Sequence, residues 1–243
     1  MAQSMRRPFD VRLWLLQAGM LLLAGCGAMG SSKQDSAEQS IVAQVAEVRA
    51  EKSEQIQIEK TPLRDDDLKD LAGLEKLHVL LLDSAESRFS AQGLKQLDGL
   101  TALEHLRIRG SGIDDAALAQ LAELEGLRIL NVPHGTFSDA GLQQLTALHD
   151  LVQLRFGSPH VTDAGMKSIA EMPALKRLHL IDVPITDAGL RDLAQIKQLE
   201  SLYIDGGQFS DGAIAELFRT RPDLHVHLNQ QHYDRDPHKH EHP

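Results

Sequence analysis

Apolar residues in this chain recur in two registers that alternate. Within residues 185–208, Leu190, Leu193 and Ile196 follow one another at helical spacing, and Leu199, Leu202 and Ile204 come next. Leu202 and Ile204 alternate with polar neighbours, as on a strand with one buried face. Thr186 stands just before the helical half, where its hydroxyl can accept a bond from an orphan backbone N–H. Asp187 follows in the first turn, where a carboxylate complements the helix dipole. This unit restarts every 24 residues, at Phe89, Ile113, Phe137, Val161, Ile185 and Phe209, and a copy from Leu63 carries two extra residues. The cap column reads Ser90, Asp114, Ser138, Thr162, Thr186 and Ser210, and only Arg64 breaks it. Units that cannot bury an apolar face alone must stack, so the pattern predicts a solenoid over residues 55–229. Its class is α/β, with parallel strands about 4.8 Å apart on the concave face and helices on the convex face.

Both ends are treated differently from the middle. Gln55-Ile-Gln-Ile-Glu59 supplies a first strand, and residues 38–54 predict a capping helix with Ile41, Val45 and Val48 on one stripe. In the last unit Thr220 and Asp223 replace the apolar residues at Ile196 and Leu199, as an open solenoid end requires. Residues 230–243 form a polar tail rich in histidine.

The first 37 residues follow another logic. Arg6, Arg7 and Arg12 precede an apolar run, Leu13–Ala24, too short to span a bilayer but of the length of a signal h-region. Leu23-Ala24-Gly25-Cys26 comes next and contains the chain's one cysteine. This segment resembles the lipobox of bacterial lipoproteins. The resemblance implies that residues 1–25 are a signal peptide and that Cys26 carries a diacylglyceryl group. Two or more acyl chains, at about 0.8 kcal/mol per buried methylene, hold a protein stably on a membrane. Gly27 stands where an aspartate often marks inner-membrane retention in such proteins, so outer-membrane delivery is implied wherever the cell has one. Residues 27–37 are small and polar and read as a flexible tether.

The clearest copies of the repeat, Val-Thr-Asp-Ala-Gly-Met (161–166) and Ile-Thr-Asp-Ala-Gly-Leu (185–190), resemble bacterial leucine-rich-repeat lipoproteins. The chain departs from that family at the buried turn asparagine. The corresponding positions are Ala85, Ser111, Gly135, Pro159, Val183 and Gly207, so the turns must find other hydrogen bonds.

Charge narrows the choice of partner. The formal net charge is −10, and loss of three arginines and Asp10 with residues 1–25 takes it to −12. Such a chain is a poor generic binder of nucleic acid. Yet the strand positions that must point away from the core gather cations. Arg107, Arg109, Arg155 and Arg177 come together there with His179 and Tyr203, a set suited to an anionic or carboxylate-bearing partner. That partner is expected to be another protein or an anionic envelope component, and the chain is expected to be monomeric and to touch membrane only through its lipid.

A second reading is divalent-metal binding. His225 and His227 share one face of one strand, and His238, His240 and His242 follow in the tail, a composition that can hold zinc, nickel or copper. Otherwise no cofactor is expected. Asp65-Asp66-Asp67 lies at a helix start and lacks the ligands and glycine turn of a calcium loop. Phosphate-loop and nucleophile-elbow motifs are missing too, so binding rather than catalysis is expected.

Overall fold

The computed structural model describes residues 40–229 apart from 208, together with the backbone of residues 231–232. The expected signal peptide, Cys26, the tether, and His238, His240 and His242 lie outside the described residues. The chain starts with helix α1 (Ile41–Arg49), whose Ser40 caps it and whose Ile41, Val45 and Val48 are buried. Eight parallel strands follow: β1 (Gln55–Ile58), β2 (Val79–Leu82), β3 (His105–Ile108), β4 (Ile129–Val132), β5 (Gln153–Phe156), β6 (Arg177–Ile181), β7 (Ser201–Asp205) and β8 (His225–Leu228). A two-residue strand, β9 (Gln231–His232), pairs antiparallel with β8, and all nine form one sheet in chain order.

Between consecutive strands the chain returns through helix. The first return is a 3₁₀ helix, Asp65–Leu71; the others contain α2 (Ala91–Leu94), α3 (Asp115–Leu121), α4 (Asp139–Gln144), α5 (Asp163–Ala170), α6 (Asp187–Ala194) and α7 (Asp211–Thr220). Leu80, Leu106, Leu130, Leu154, Leu178, Leu202 and Val226 stack in register, and all are buried between strands and helices. The exposed edge of β1 is managed by α1: Gln44 Nε2 donates to the Gln57 carbonyl, and Gln44 Oε1 accepts from the Gln57 N–H, both at 2.7 Å.

The Thr-Asp-Ala-Gly motif has a physical reason that lies between repeats. All six expected cap residues accept a bond from their own helix. Arg64 makes no such bond, and there Asp67 Oδ2 accepts the Arg64 N–H instead. In addition Asp65, Asp115, Asp139, Asp163 and Asp187 reach the next unit. Each accepts both the backbone N–H and the hydroxyl of the following cap (Ser90, Ser138, Thr162, Thr186 and Ser210) at 2.5–2.9 Å. Those bonds from Ser210 hold Asp187 below the usual carboxylate range. Four of these carboxylates, Asp65, Asp115, Asp139 and Asp163, lie where a Cβ would stand on Gly93, Gly141, Gly165 and Gly189. Ala91 occupies the aspartate position in one unit, and the next unit carries Ala117 in place of glycine.

Turns without the family's asparagine are closed by residues nearby. Buried Ser87 accepts the Leu63 N–H at 2.9 Å, and buried Ser158 donates to the Phe137 carbonyl at 2.6 Å. After β8, Asn229 bridges back, accepting from Gly206 N–H at 2.9 Å and donating to the Gly207 carbonyl at 3.2 Å. Arg221 seals the last unit. It is 7% exposed and donates to the Ile196 and Leu199 carbonyls and to Asp223, which supply partners to a charge that would otherwise be costly to bury.

Candidate functional site

Parallel pairing without slippage lines up every outward-facing strand position. The central row runs Gln57, Leu81, Arg107, Asn131, Arg155, His179, Tyr203, His227. His105, Ile129, Gln153, Arg177, Ser201 and His225 form the adjacent row. Side chains in these rows are half-buried from β3 onward, while the alternate positions are core. The strand scaffold therefore fixes the direction of each functional side chain.

The cations on this face differ in what holds them. Arg107 is ion-paired with Asp83, and Arg109 Nε lies 3.6 Å from the same carboxylate. Arg107 is thus held within the molecule, which the sequence pattern did not reveal. Arg155 sits in a hydrogen-bonded row. It donates to Asn131 Oδ1 and to His179 Nδ1, both at 3.2 Å. His179 Nε2 lies 2.9 Å from Asp205 Oδ2. Burial lowers the His179 pKa, against the Asp205 bond that raises it. A neutral ring that accepts at Nδ1 and donates Nε2–H to Asp205 satisfies every partner. Arg155 is lowered from its ordinary value by burial and by the neighbouring Arg109 charge, but a guanidinium stays protonated at physiological pH. Among the described residues no carboxylate lies within ion-pair distance of Arg155 or Arg177.

His105, beside Arg107, lies on this face as its strand periodicity implies, although it was not among the candidate binding residues. Burial, reinforced by the Arg107 charge, lowers it to about 4, so it is a neutral imidazole at physiological pH. At the other end of the face the rings pack together. Tyr203 stacks on His227 with centroids 4.4 Å apart, and His179 lies 5.6 Å from Tyr203 on its other side. Tyr203 Oη is 3.0 Å from His225 Nε2, which is 3.0 Å from His227 Nε2.

Neither a protein-family model nor a curated protein matches this sequence. Internalin C2 from Listeria monocytogenes is similar in structure, with a TM-score of 0.55 and 16% identity over 80% of each chain. The fold is a leucine-rich-repeat solenoid. A second internalin from the same organism, inlF, has a TM-score of 0.48 and 20% identity, over 77% of this chain and 64% of its own. The solenoid frame explains why residues 22–26 positions apart in sequence become neighbours across the strand face.

Proposed function

We propose that this chain is a lipid-anchored, extracytoplasmic interaction module that binds an acidic segment of another envelope protein on its strand face. One observation carries the reading: Arg155 and Arg177 stand on adjacent strands, facing outward, without a carboxylate partner among the described residues. Arg109, about half-exposed, adds a third cation nearby. A cluster of guanidinium groups on one face of a chain of net charge −10 favours carboxylates and can present them a bidentate geometry. The internalin-like frame supports the reading, since solenoids of this architecture offer long, rigid surfaces to partners. Anchoring rests on the sequence alone, on Leu23-Ala24-Gly25-Cys26 after a charged and then apolar start.

The face is tested by charge reversal. Once a partner is captured from envelope extract, the variant Arg109→Glu/Arg155→Glu/Arg177→Glu is expected to fold normally and to bind at least about tenfold more weakly, about 1.4 kcal/mol or more. Reversal at Lys95, Lys167 and Arg191, which are exposed on the helix side, should change binding little. Loss from the helix-side variant with retention by the strand-side variant would place the partner on the opposite face. Competition by an anionic glycan or lipid, with no protein captured, would replace the protein partner by an envelope component.

Anchoring has its own test. Cys26→Ala is expected to leave the N-terminus unacylated and to move the protein from the membrane to the soluble fraction. An intact residue 1–25 segment on the wild-type chain, or no acyl mass on Cys26, would overturn the anchoring half of the proposal.

A further inference from the structure

Two arginines on the strand face are held in opposite ways. Arg107 is ion-paired with the Asp83 carboxylate, which offsets its charge. Arg155 is held by neutral groups from the strands on either side. Its Nε–H donates to His179 Nδ1 on β6, and its Nη1 donates to Asn131 Oδ1 on β4, both at 3.2 Å. Those two bonds fix the plane of the guanidinium and leave its charge intact. They use two of its five N–H groups, and among the described residues Nη2 has no hydrogen-bond partner. The Nη end is therefore left for a carboxylate to grip.

His179 can hold Arg155 in only one form. A neutral imidazole accepts at Nδ1 when its proton sits on Nε2. Asp205 Oδ2 lies 2.9 Å from that Nε2 and keeps the proton there. Asp205 on β7 thus sets the tautomer with which His179 on β6 orients Arg155 on β5. The Tyr203 ring, 5.6 Å away, braces the imidazole from the next strand. The carboxylate stands one ring away from the arginine rather than against it. A carboxylate at position 179 itself would also hold Arg155 but would neutralise it, as Asp83 does Arg107.

From this arrangement we infer that His179, oriented by Asp205, is a positioning residue that presents the charged Nη end of Arg155 to a carboxylate of the acidic partner. The inference rests on the acidic-partner reading of this face. A loose arginine loses rotamer freedom when it is gripped, and orientation before binding removes that cost. In this role His179 acts through Arg155, so its contribution exists only while Arg155 is present.

An octaglutamate peptide titrated into the purified full-length chain at low ionic strength tests it. Arg155→Gln should weaken binding at least about fivefold. His179→Phe keeps a ring, removes both nitrogens and changes no net charge; it should weaken binding about two- to fivefold, the effect of freeing one long side chain. His179→Gln supplies an amide oxygen for Arg155 and an N–H for Asp205, and should recover most of that loss. In the Arg155→Gln background, His179→Phe should weaken binding no further. A second measurement needs no substitution: in the wild-type chain without peptide, the Arg155 Nε–H resonance should be protected from solvent exchange near neutral pH. Weakening by His179→Phe that persists in the Arg155→Gln background would make His179 a direct contact and overturn the positioning role. An unprotected Arg155 Nε–H in the wild type, or binding unmoved by His179→Phe, would also overturn it while leaving the acidic-partner reading in place. Binding that is unmoved by both Arg155→Gln and the triple arginine reversal would overturn that reading itself, and the positioning role with it.

Discussion

Leu202→Ala is expected to cost about 2–5 kcal/mol of unfolding free energy, the range for removing a large aliphatic side chain from a packed interior. Leu202 is fully buried, on β7, and its register partners are Leu178 and Val226 on the strands to either side. Its removal therefore opens a gap shared by three units, and the rigid strand spacing limits how far the neighbours can close it. Leu178→Ala, at the equivalent place one unit earlier, should fall in the same range. Urea denaturation followed by circular dichroism measures both. Lys167→Ala, exposed on α5, serves as the comparison and should stay within about 0.5 kcal/mol of wild type. A loss at Leu202 no larger than that at exposed Lys167 would show that Leu202 does not point into the packed interior.

Gly189→Ala should destabilise the solenoid by about 1–3 kcal/mol, although alanine is the better helix former at an unconstrained site. The added methyl would press into the Asp163 carboxylate of the preceding unit, and the nearest atom after that is Ile185 Cβ at 3.0 Å. Asp163→Ala alone should cost about 0.5–1.5 kcal/mol, because the Thr186 N–H and hydroxyl lose their acceptor, while water can partly replace it at this exposed edge. The double variant is expected to be more stable than the sum of the two losses predicts, by at least about 0.5 kcal/mol, since the carboxylate that blocks the methyl is gone. Ala91 and Ala117 are a natural copy of that pair one or more turns away along the solenoid. Strict additivity in denaturant melts would mean that the aspartate and the glycine are selected for unrelated reasons.

Much of the architecture was legible because the repeat writes each local rule several times. A single Ser, Thr or Asp before an apolar stripe is weak evidence for a helix start, but six in one column, all of which cap, reinforce one another. The apolar alternation at Leu202 and Ile204 also reported which strand face is buried, because side chains alternate with period two and a one-residue slip would invert every position. The row of strand residues from Arg107 to His227 followed from the same periodicity. What escaped the sequence were contacts between one unit and the next that no local pattern signals. The motif's aspartate was legible as a helix-dipole partner, and its second task, accepting two bonds from the following unit, was not. The glycine of the motif depends on that task. Likewise Ser87, Ser158 and Asn229 stand off the expected turn position, so periodic reading passes over them, yet they close the turns.

The candidate face divides along the same line. The sequence by itself determined the repeat length, the caps, the buried leucine rows and the list of residues that point outward, since each depends on short-range geometry with a fixed period. Only the tertiary structure decided which of those residues are held by others. It pairs Arg107 with Asp83 across one strand gap, ties Arg155 to Asn131 and His179, and brings Tyr203 Oη and two imidazoles to within 3.0 Å steps of one another. It also folds Arg221 over the last unit, where two carbonyls and Asp223 receive it. The physical reason is one of range. Backbone sterics and burial act on neighbours in the chain and leave a periodic trace, whereas ion pairs and ring contacts depend on rotamers across strands about 4.8 Å apart, which residue spacing does not encode.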